Sequence, residues 1–157
     1  MSEILSLDFK SKHSAVPNTR RVGELGEQLA ARFLAKNGFR LVIANFKIPV
    51  GRNSRGIQVT GEIDLIALEN NVLCFVEVKT RSSDDYAAPL AAVDLRKQRQ
   101  ITRTARMYRK VFDLHQMKYR FDVVSIVLKK DSQPQIEFFK NFWNESKFRK
   151  TFWTDII

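Results

Sequence analysis

Gly61-Glu62-Ile63-Asp64-Leu65-Ile66-Ala67-Leu68 and Val72-Leu73-Cys74-Phe75-Val76-Glu77-Val78-Lys79-Thr80 are two apolar runs of strand length around the turn residues Asn70 and Asn71. A two-residue loop at Asn70-Asn71 pairs Glu69 with Val72. The register then sets Asp64 opposite Glu77 and Glu62 opposite Lys79. Alternation places these four on one face with Ile66, Phe75, Leu68 and Leu73. The pairs Ile63/Val78, Leu65/Val76 and Ala67/Cys74 make a second face, wholly apolar and therefore core. Facing Cβ atoms on paired strands stand about 4.5–5.5 Å apart, so Asp64 and Glu77 need a cation between them. Lys79 supplies only part of that charge. Two carboxylates are hard oxygen ligands, which suit Mg²⁺ or Mn²⁺ better than zinc. The plainer alternative is a salt-bridge cluster on a solvated sheet face, and the apolar neighbours on that face argue against full solvation.

Outward from the hairpin, the pattern upstream predicts a helix capped by Asn18 or Thr19, running to about Asn37 and stopped by Gly38. Its apolar face reads Val22, Leu25, Leu29, Ala30, Phe33 and Leu34. Phe39 to Phe46 reads as a strand. Lys47 to Thr60, with Pro49, Gly51, Asn53, Ser54 and Gly56, reads as a loop carrying Lys47, Arg52 and Arg55. Downstream, Arg81 to Pro89 is a polar connection, and a second helix spans Leu90 or Ala91 to Phe112. Tyr119 to Leu128 is a further strand, and Gln135 to Phe139 a short edge strand. The expected class is α/β, a mixed central sheet flanked by helices. The expected organisation is an arm over 1–18, one domain over 19–142 and an aromatic, basic extension over 143–157.

The 157 residues fit one domain, and 27 basic against 17 acidic residues leave a net charge of +10. That excess favours a polyanionic partner, nucleic acid before an anionic membrane. The longest apolar runs fall far short of a membrane span, so no membrane partner is expected. Met1 to Pro17 is polar and mixed in charge, without the apolar centre of a signal peptide. Cys74 is the only cysteine, and His13 and His115 lie far apart, so neither a disulfide nor a zinc site is expected. A reducing cytoplasm is the natural setting.

Gly-Glu-Ile-Asp-Leu-Ile at 61–66, followed by Phe-Val-Glu-Val-Lys-Thr-Arg at 75–81, resembles the PD-(D/E)xK nuclease motif in the form shown by the YraN-like family of bacterial proteins. Gly23, Gly26-Glu27 and Ala30 resemble that family's first helix, and Asn45-Phe46 its next strand. Ala92-Val93, Lys97-Gln98-Arg99 and Ala105 resemble its second helix, and Arg120-Phe121-Asp122-Val123-Val124 its last conserved strand. The resemblance covers about Val22 to Val127. It implies a restriction-endonuclease-like fold, similar to that of archaeal Holliday junction resolvases. It also implies that Asp64 and Glu77 bind Mg²⁺ with help from the Val78 carbonyl, that Lys79 orients or activates water, and that Glu27 is a further ligand. On a helical wheel Glu27 flanks the apolar stripe, whereas Glu24 points away from it. The long Lys47 to Thr60 segment and the extended tail depart from the family pattern.

On the second helix, Arg96, Arg99, Arg103, Arg106 and Lys110 fall within an arc of about 80° at 100° per residue. Ile101, Ala105, Tyr108 and Phe112 lie opposite, towards the sheet. A stripe of one sign without interspersed acids reads as a phosphate-contacting surface rather than a plain solvated face. Lys97 and Gln98 are weaker candidates nearer the active site. In the tail, Phe138, Phe139, Phe142, Trp143, Phe148, Phe152 and Trp153 alternate with basic residues. Such aromatics can stack on unpaired bases, but packing on the domain, or on a second subunit in a homodimer, is the simpler reading. The expectation is thus an Mg²⁺- or Mn²⁺-dependent endonuclease acting on DNA, branched or repair intermediates included. The alternative is a catalytically silent nucleic-acid-binding protein that keeps the fold.

Overall fold

The computed structural model of the chain describes residues 19–82 and 93–148. The apolar stripe upstream of the hairpin forms α1 (Thr19–Lys36), which buries Gly26, Ala30 and Leu34. Its end is set by local chemistry. The Asn37 side-chain amide donates to the Phe33 carbonyl at 2.7 Å, and Gly38 takes φ +86°, a conformation that favours glycine. The expected cap at Asn18 and the arm over 1–18 lie outside the described residues.

Five strands follow: β1 (Phe39–Arg52), β2 (Gln58–Glu69), β3 (Val72–Ser82), β4 (Tyr119–Leu128) and β5 (Gln135–Trp143). They form one sheet in the order β1-β2-β3-β4-β5. Among the described strands, only β3 and β4 run parallel. A parallel neighbour requires a crossover, and α2 (Leu95–Val111) provides it. The α/β class expected from the sequence, a restriction-endonuclease-like mixed sheet flanked by helices, is the one the structure shows.

Both faces of the sheet are buried. On one, Leu65, Ala67, Cys74, Val76, Val78, Val124 and Ile126 pack against Ala30 and Leu34 of α1. On the other, Ile66, Phe75, Phe121 and Val123 pack against Ile101, Ala105 and Tyr108 of α2. Trp143 closes this second core by stacking on Phe121 (ring centroids 4.7 Å) and donating its indole N–H to Thr102 Oγ1 at 2.8 Å.

Several element boundaries differ from the sequence expectation. β1 continues through Lys47 to Arg52, and β2 begins at Gln58, so the expected loop over Lys47–Thr60 shrinks to a turn at 53–57. Pro49 is tolerated because β1 is an edge strand, and the ladder slips by one residue between Pro49 and Gly51. α2 starts at Leu95 rather than Leu90 or Ala91. Asp94 caps it by accepting the Lys97 backbone N–H at 2.9 Å, while Val93 lies in the core. β5 reaches Trp143 instead of ending at Phe139, because Phe142 and Trp143 are also sheet residues. Along β1, Leu41, Val42 and Ile43 remain 44%, 45% and 38% exposed, with a second register slip between Leu41 and Ile43.

The α1–β3 contact depends on a missing side chain. A Cβ at Gly26 would stand 1.7 Å from the Thr80 hydroxyl, whereas one at Gly23 would meet nothing within 4 Å. Gly26→Ala should therefore lower stability by about 1–3 kcal/mol through overpacking. Gly23→Ala should raise it by up to about 1 kcal/mol through helix propensity alone. Urea unfolding of the two variants checks this, and equal effects would show that α1 does not seat on Thr80.

Candidate functional site

The β2–β3 ladder follows the expected register from Glu69↔Val72 to Leu65↔Val76. Beyond that pair the strands part company, β2 continuing against β1 and β3 against β4. In the mouth of this fork, Oδ2 of Asp64 accepts the Val78 backbone N–H at 2.9 Å. The expected rung of Asp64 against Glu77 is corrected accordingly: the Asp64 carboxylate takes the position of the missing backbone acceptor. The expected Glu62–Lys79 rung is likewise absent. Glu62 approaches Lys47 of β1 at 3.9 Å, and Lys79 turns to Glu77.

The fork coincides with a change of face. Ala44 pairs with Leu65 and Phe46 with Ile63; between them Asn45 adopts φ +53°. Leu65 belongs to the α1 side, but Ile63 and Phe46 belong to the α2 side. Ile63 thus does not share the face of Leu65 and Ala67, contrary to strict alternation. The local twist turns Asp64 towards the strand gap instead of towards either core.

Glu77 is buried, only 3% exposed. Its Oε1 lies 3.2 Å from Lys79 Nζ and 3.7 Å from Lys97 Nζ. Its Oε2 is buried without a hydrogen-bond partner among the described residues. Burial first, and then the Asp64 charge, push its pKa up to about 7 against the opposing pull of Lys97 and Lys79. From α1, Glu27 joins this electrostatic group. Its pKa is raised by burial and by Asp64, while a hydrogen bond from the Asn45 side chain partly offsets both. Glu24 is exposed and bonds Arg20 at 3.2 Å, in keeping with a solvated charge.

Among the described residues, Glu27, Asp64 and Glu77 set three carboxylates against the two ammonium groups of Lys79 and Lys97, and one buried oxygen lacks a donor. That donor set fits a hard divalent cation. Among the described residues, no three His, Cys, Asp or Glu side chains close into a metal cage. Mg²⁺ does not require one, since it is commonly held by one or two carboxylates and keeps several waters. Asp64 and Glu77 are the residues that would hold such an ion. Glu27 contributes charge nearby and is held by Asn45. Val78 contributes its backbone N–H to Asp64.

The α2 candidates separate into two groups. Arg96, Arg99, Arg103, Arg106 and Lys110 are exposed, as expected. Lys97 leaves that surface for Glu77. Gln98 is buried, donating to the Val93 carbonyl at 2.9 Å and accepting from Lys147 at 3.1 Å. The stripe also acquires an acid from a distant part of the chain: Glu145 bonds Arg106 at 2.9 Å and lies 3.6 Å from Arg109. Sequence reasoning named Asn45 only for its resemblance and missed its bond to Glu27, whose signal was an asparagine inside a strand run, and it missed the roles of Glu145 and Lys147, which had no local signal. Cys74, buried and with its thiol pushed up to about 12, is a core residue. Asp122 accepts from the Arg120 guanidinium at 2.9 and 3.0 Å and from the Asn141 N–H at 2.8 Å, a structural role.

Residues 26–126 match the model of Uncharacterised protein family UPF0102, and the chain belongs to that family. It is 40% identical over 111 residues to a UPF0102 protein of Caldanaerobacter subterraneus subsp. tengcongensis, covering 71% of this chain and 83% of that one. It is 42% identical over 121 residues to a UPF0102 protein of Trichlorobacter lovleyi, covering 76% and 87%. Among solved structures, the crystal structure of SSO0001 overlays with a TM-score of 0.41 at 14% identity, over 83% of this chain and 56% of that one, a likeness too loose to argue from.

Without a divalent cation, the raised pKa of Glu77 makes the folded protein bind a proton more tightly than the unfolded chain. Its contribution to stability is present in full below the ordinary value of 4.5 and is lost as pH rises through about 7. Glu77→Gln should flatten this dependence and stabilise the chelated protein at pH 8 by about 1–2 kcal/mol. Urea midpoints between pH 5 and pH 8 in chelator provide the readout. Parallel curves for the two proteins would show that Glu77 is not the strained carboxylate.

Proposed function

We propose that this chain is a metal-dependent nuclease of the PD-(D/E)xK type that hydrolyses DNA phosphodiesters at the β2–β3 fork. The observation that carries the reading is the buried Oε2 of Glu77, without a partner among the described residues, beside the Asp64 charge. A structural salt bridge would satisfy both oxygens, and burying a carboxylate in this state is costly. Mg²⁺ or Mn²⁺ held by Asp64 and Glu77 would supply Lewis-acid neutralisation of phosphate charge and make water easier to deprotonate.

The protein's own groups have separable tasks. The Val78 N–H fixes the rotamer of Asp64, so one carboxylate oxygen is committed to the backbone and the side chain is aimed before substrate arrives. Lys79 at 3.2 Å and Lys97 at 3.7 Å share one Glu77 oxygen from β3 and from α2, and both side chains keep access to solvent. From there the Lys79 ammonium can donate to the attacking water or to a phosphate oxygen, opposing the charge that develops during displacement. The exposed cations of α2 would lie along the phosphate backbone and position it without reading its sequence. Membership in the PD-(D/E)xK superfamily and a preference for branched or repair intermediates belong to the same proposal.

One observation favours the binding-only alternative, namely that no three ligating side chains converge among the described residues. Cleavage across linear, flapped and four-way DNA with Mg²⁺ or Mn²⁺ separates the two. The nuclease reading expects Asp64→Asn, Glu77→Gln and Lys79→Met each to lower the cleavage rate by at least about a hundredfold while retaining most DNA affinity. Glu24→Ala should be silent. Wild-type protein that binds this panel and cleaves none of it with either metal would replace nuclease with binding module.

A further inference from the structure

The tail returns to α2 just beyond the site. Residues Glu145–Phe148 form a 3₁₀ turn, and between it and the helix lies a concave pocket lined by Arg99, Thr102, Arg103, Arg106 and Phe148. Its wall is rigid. Thr102 Oγ1 donates to the Gln98 carbonyl at 2.8 Å while accepting the Trp143 indole N–H at 2.8 Å, and the Lys147 ammonium donates to Gln98 Oε1. Phe148 forms an aromatic side, with the Arg99 guanidinium 5.6 Å and the Lys147 ammonium 5.9 Å from its ring centroid.

The charges around the ring are not equivalent. Arg106 is committed to Glu145, whereas neither Arg99 nor Arg103 has a carboxylate within ion-pair distance among the described residues. Arg99 thus stands over the aromatic ring, and Arg103 lines the same concavity with its guanidinium beside Gly51 of β1, neither with an acidic partner among the described residues. A duplex backbone needs the cations alone, because its bases are stacked out of reach. An unpaired nucleotide presents both a phosphate and an open base face, and the pocket has a group for each.

We infer that the α2–tail pocket holds an unpaired nucleotide of the substrate strand, with the base on Phe148 and the phosphate between Arg99 and Arg103. In the free protein Arg99 covers the ring by a cation–π contact; in the complex it exchanges that contact for the phosphate. The inference rests on the nucleic-acid reading of α2 and narrows its substrate to DNA with a single-stranded or frayed segment. Lys97, which contacts Glu77, and Arg103 are six residues apart on the helix, roughly 9 Å along its axis. At 100° per residue the two positions also lie about 120° apart around the helix, so the strand in the pocket would pass round α2 to reach the carboxylates.

The test measures binding in chelator, so it does not depend on catalysis. Full-length chain is titrated onto a fluorescent single-stranded oligonucleotide and onto a blunt duplex of equal length, with 2-aminopurine in the single strand as a stacking probe. Phe148→Leu keeps apolar bulk and removes the ring. It should weaken single-strand binding about tenfold, change duplex binding less than twofold, and abolish quenching of the 2-aminopurine. Phe148→Trp should preserve all three signals. Equal losses on both ligands, wild-type quenching by Phe148→Leu, or no single-strand binding by wild type would each overturn the pocket. If the Phe148 effects appear but no DNA is cleaved with metal, only the nuclease reading falls. If cleavage proceeds and Phe148 has no selective effect, only the pocket does.

Discussion

The Val78 amide loses its β2 partner where the sheet divides, and the Asp64 carboxylate becomes its acceptor. A buried amide without an acceptor costs free energy comparable to a lost hydrogen bond, so the opening between β2 and β3 can persist only with a side chain in that place. Much of the neighbourhood follows from this replacement. Asn45 takes a left-handed conformation beside it, the face of β2 changes between Ile63 and Leu65, and Glu77 extends into a space that no continuous ladder would leave. The Asp64 carboxylate is consequently held by the backbone of the sheet, with α1 and α2 supplying Glu27 and Lys97 from opposite sides.

The hairpin was legible because its information is local. The turn at Asn70-Asn71 and the run of β-branched and aromatic residues set the register from Glu69↔Val72 to Leu65↔Val76. Both helices could be read from their apolar periodicity, although the start of α2 could not, since a short alanine-rich lead-in has good helix propensity and only the Asp94 cap ends it. The extension of β1 was hidden by Pro49 and Gly51, which read as a loop unless the strand is known to lie at an edge. Asp64, Glu77 and Lys79 were identifiable from pattern. Their geometry was not, because a period-two rule has no place for a residue that points into the gap between strands.

The fate of the basic helix shows the same division. Spacing identified which cations face outward, but the carboxylate that neutralises Arg106 lies 39 residues downstream. The tail also contributes Trp143 to the core, so the sequence that looked like an appendage helps to fix the wall of α2. Charge that appeared uniform along the helix is thereby graded: Lys97 turns inward to Glu77, Arg106 is paired, and Arg99 and Arg103 face solvent.

The exposed margin of β1 carries a hazard of its own. Leu41, Val42 and Ile43 would suit the addition of a foreign strand, and an uninterrupted edge of this length invites association between misfolded or crowded copies. The slip between Leu41 and Ile43, the left-handed Asn45, the imide nitrogen of Pro49 and the second slip before Gly51 break the edge into short lengths. No incoming chain can keep register with it for more than a few residues. The distortion that aims Asp64 therefore also protects the molecule from templated aggregation, and a mutation that straightened β1 would threaten colloidal behaviour as well as chemistry.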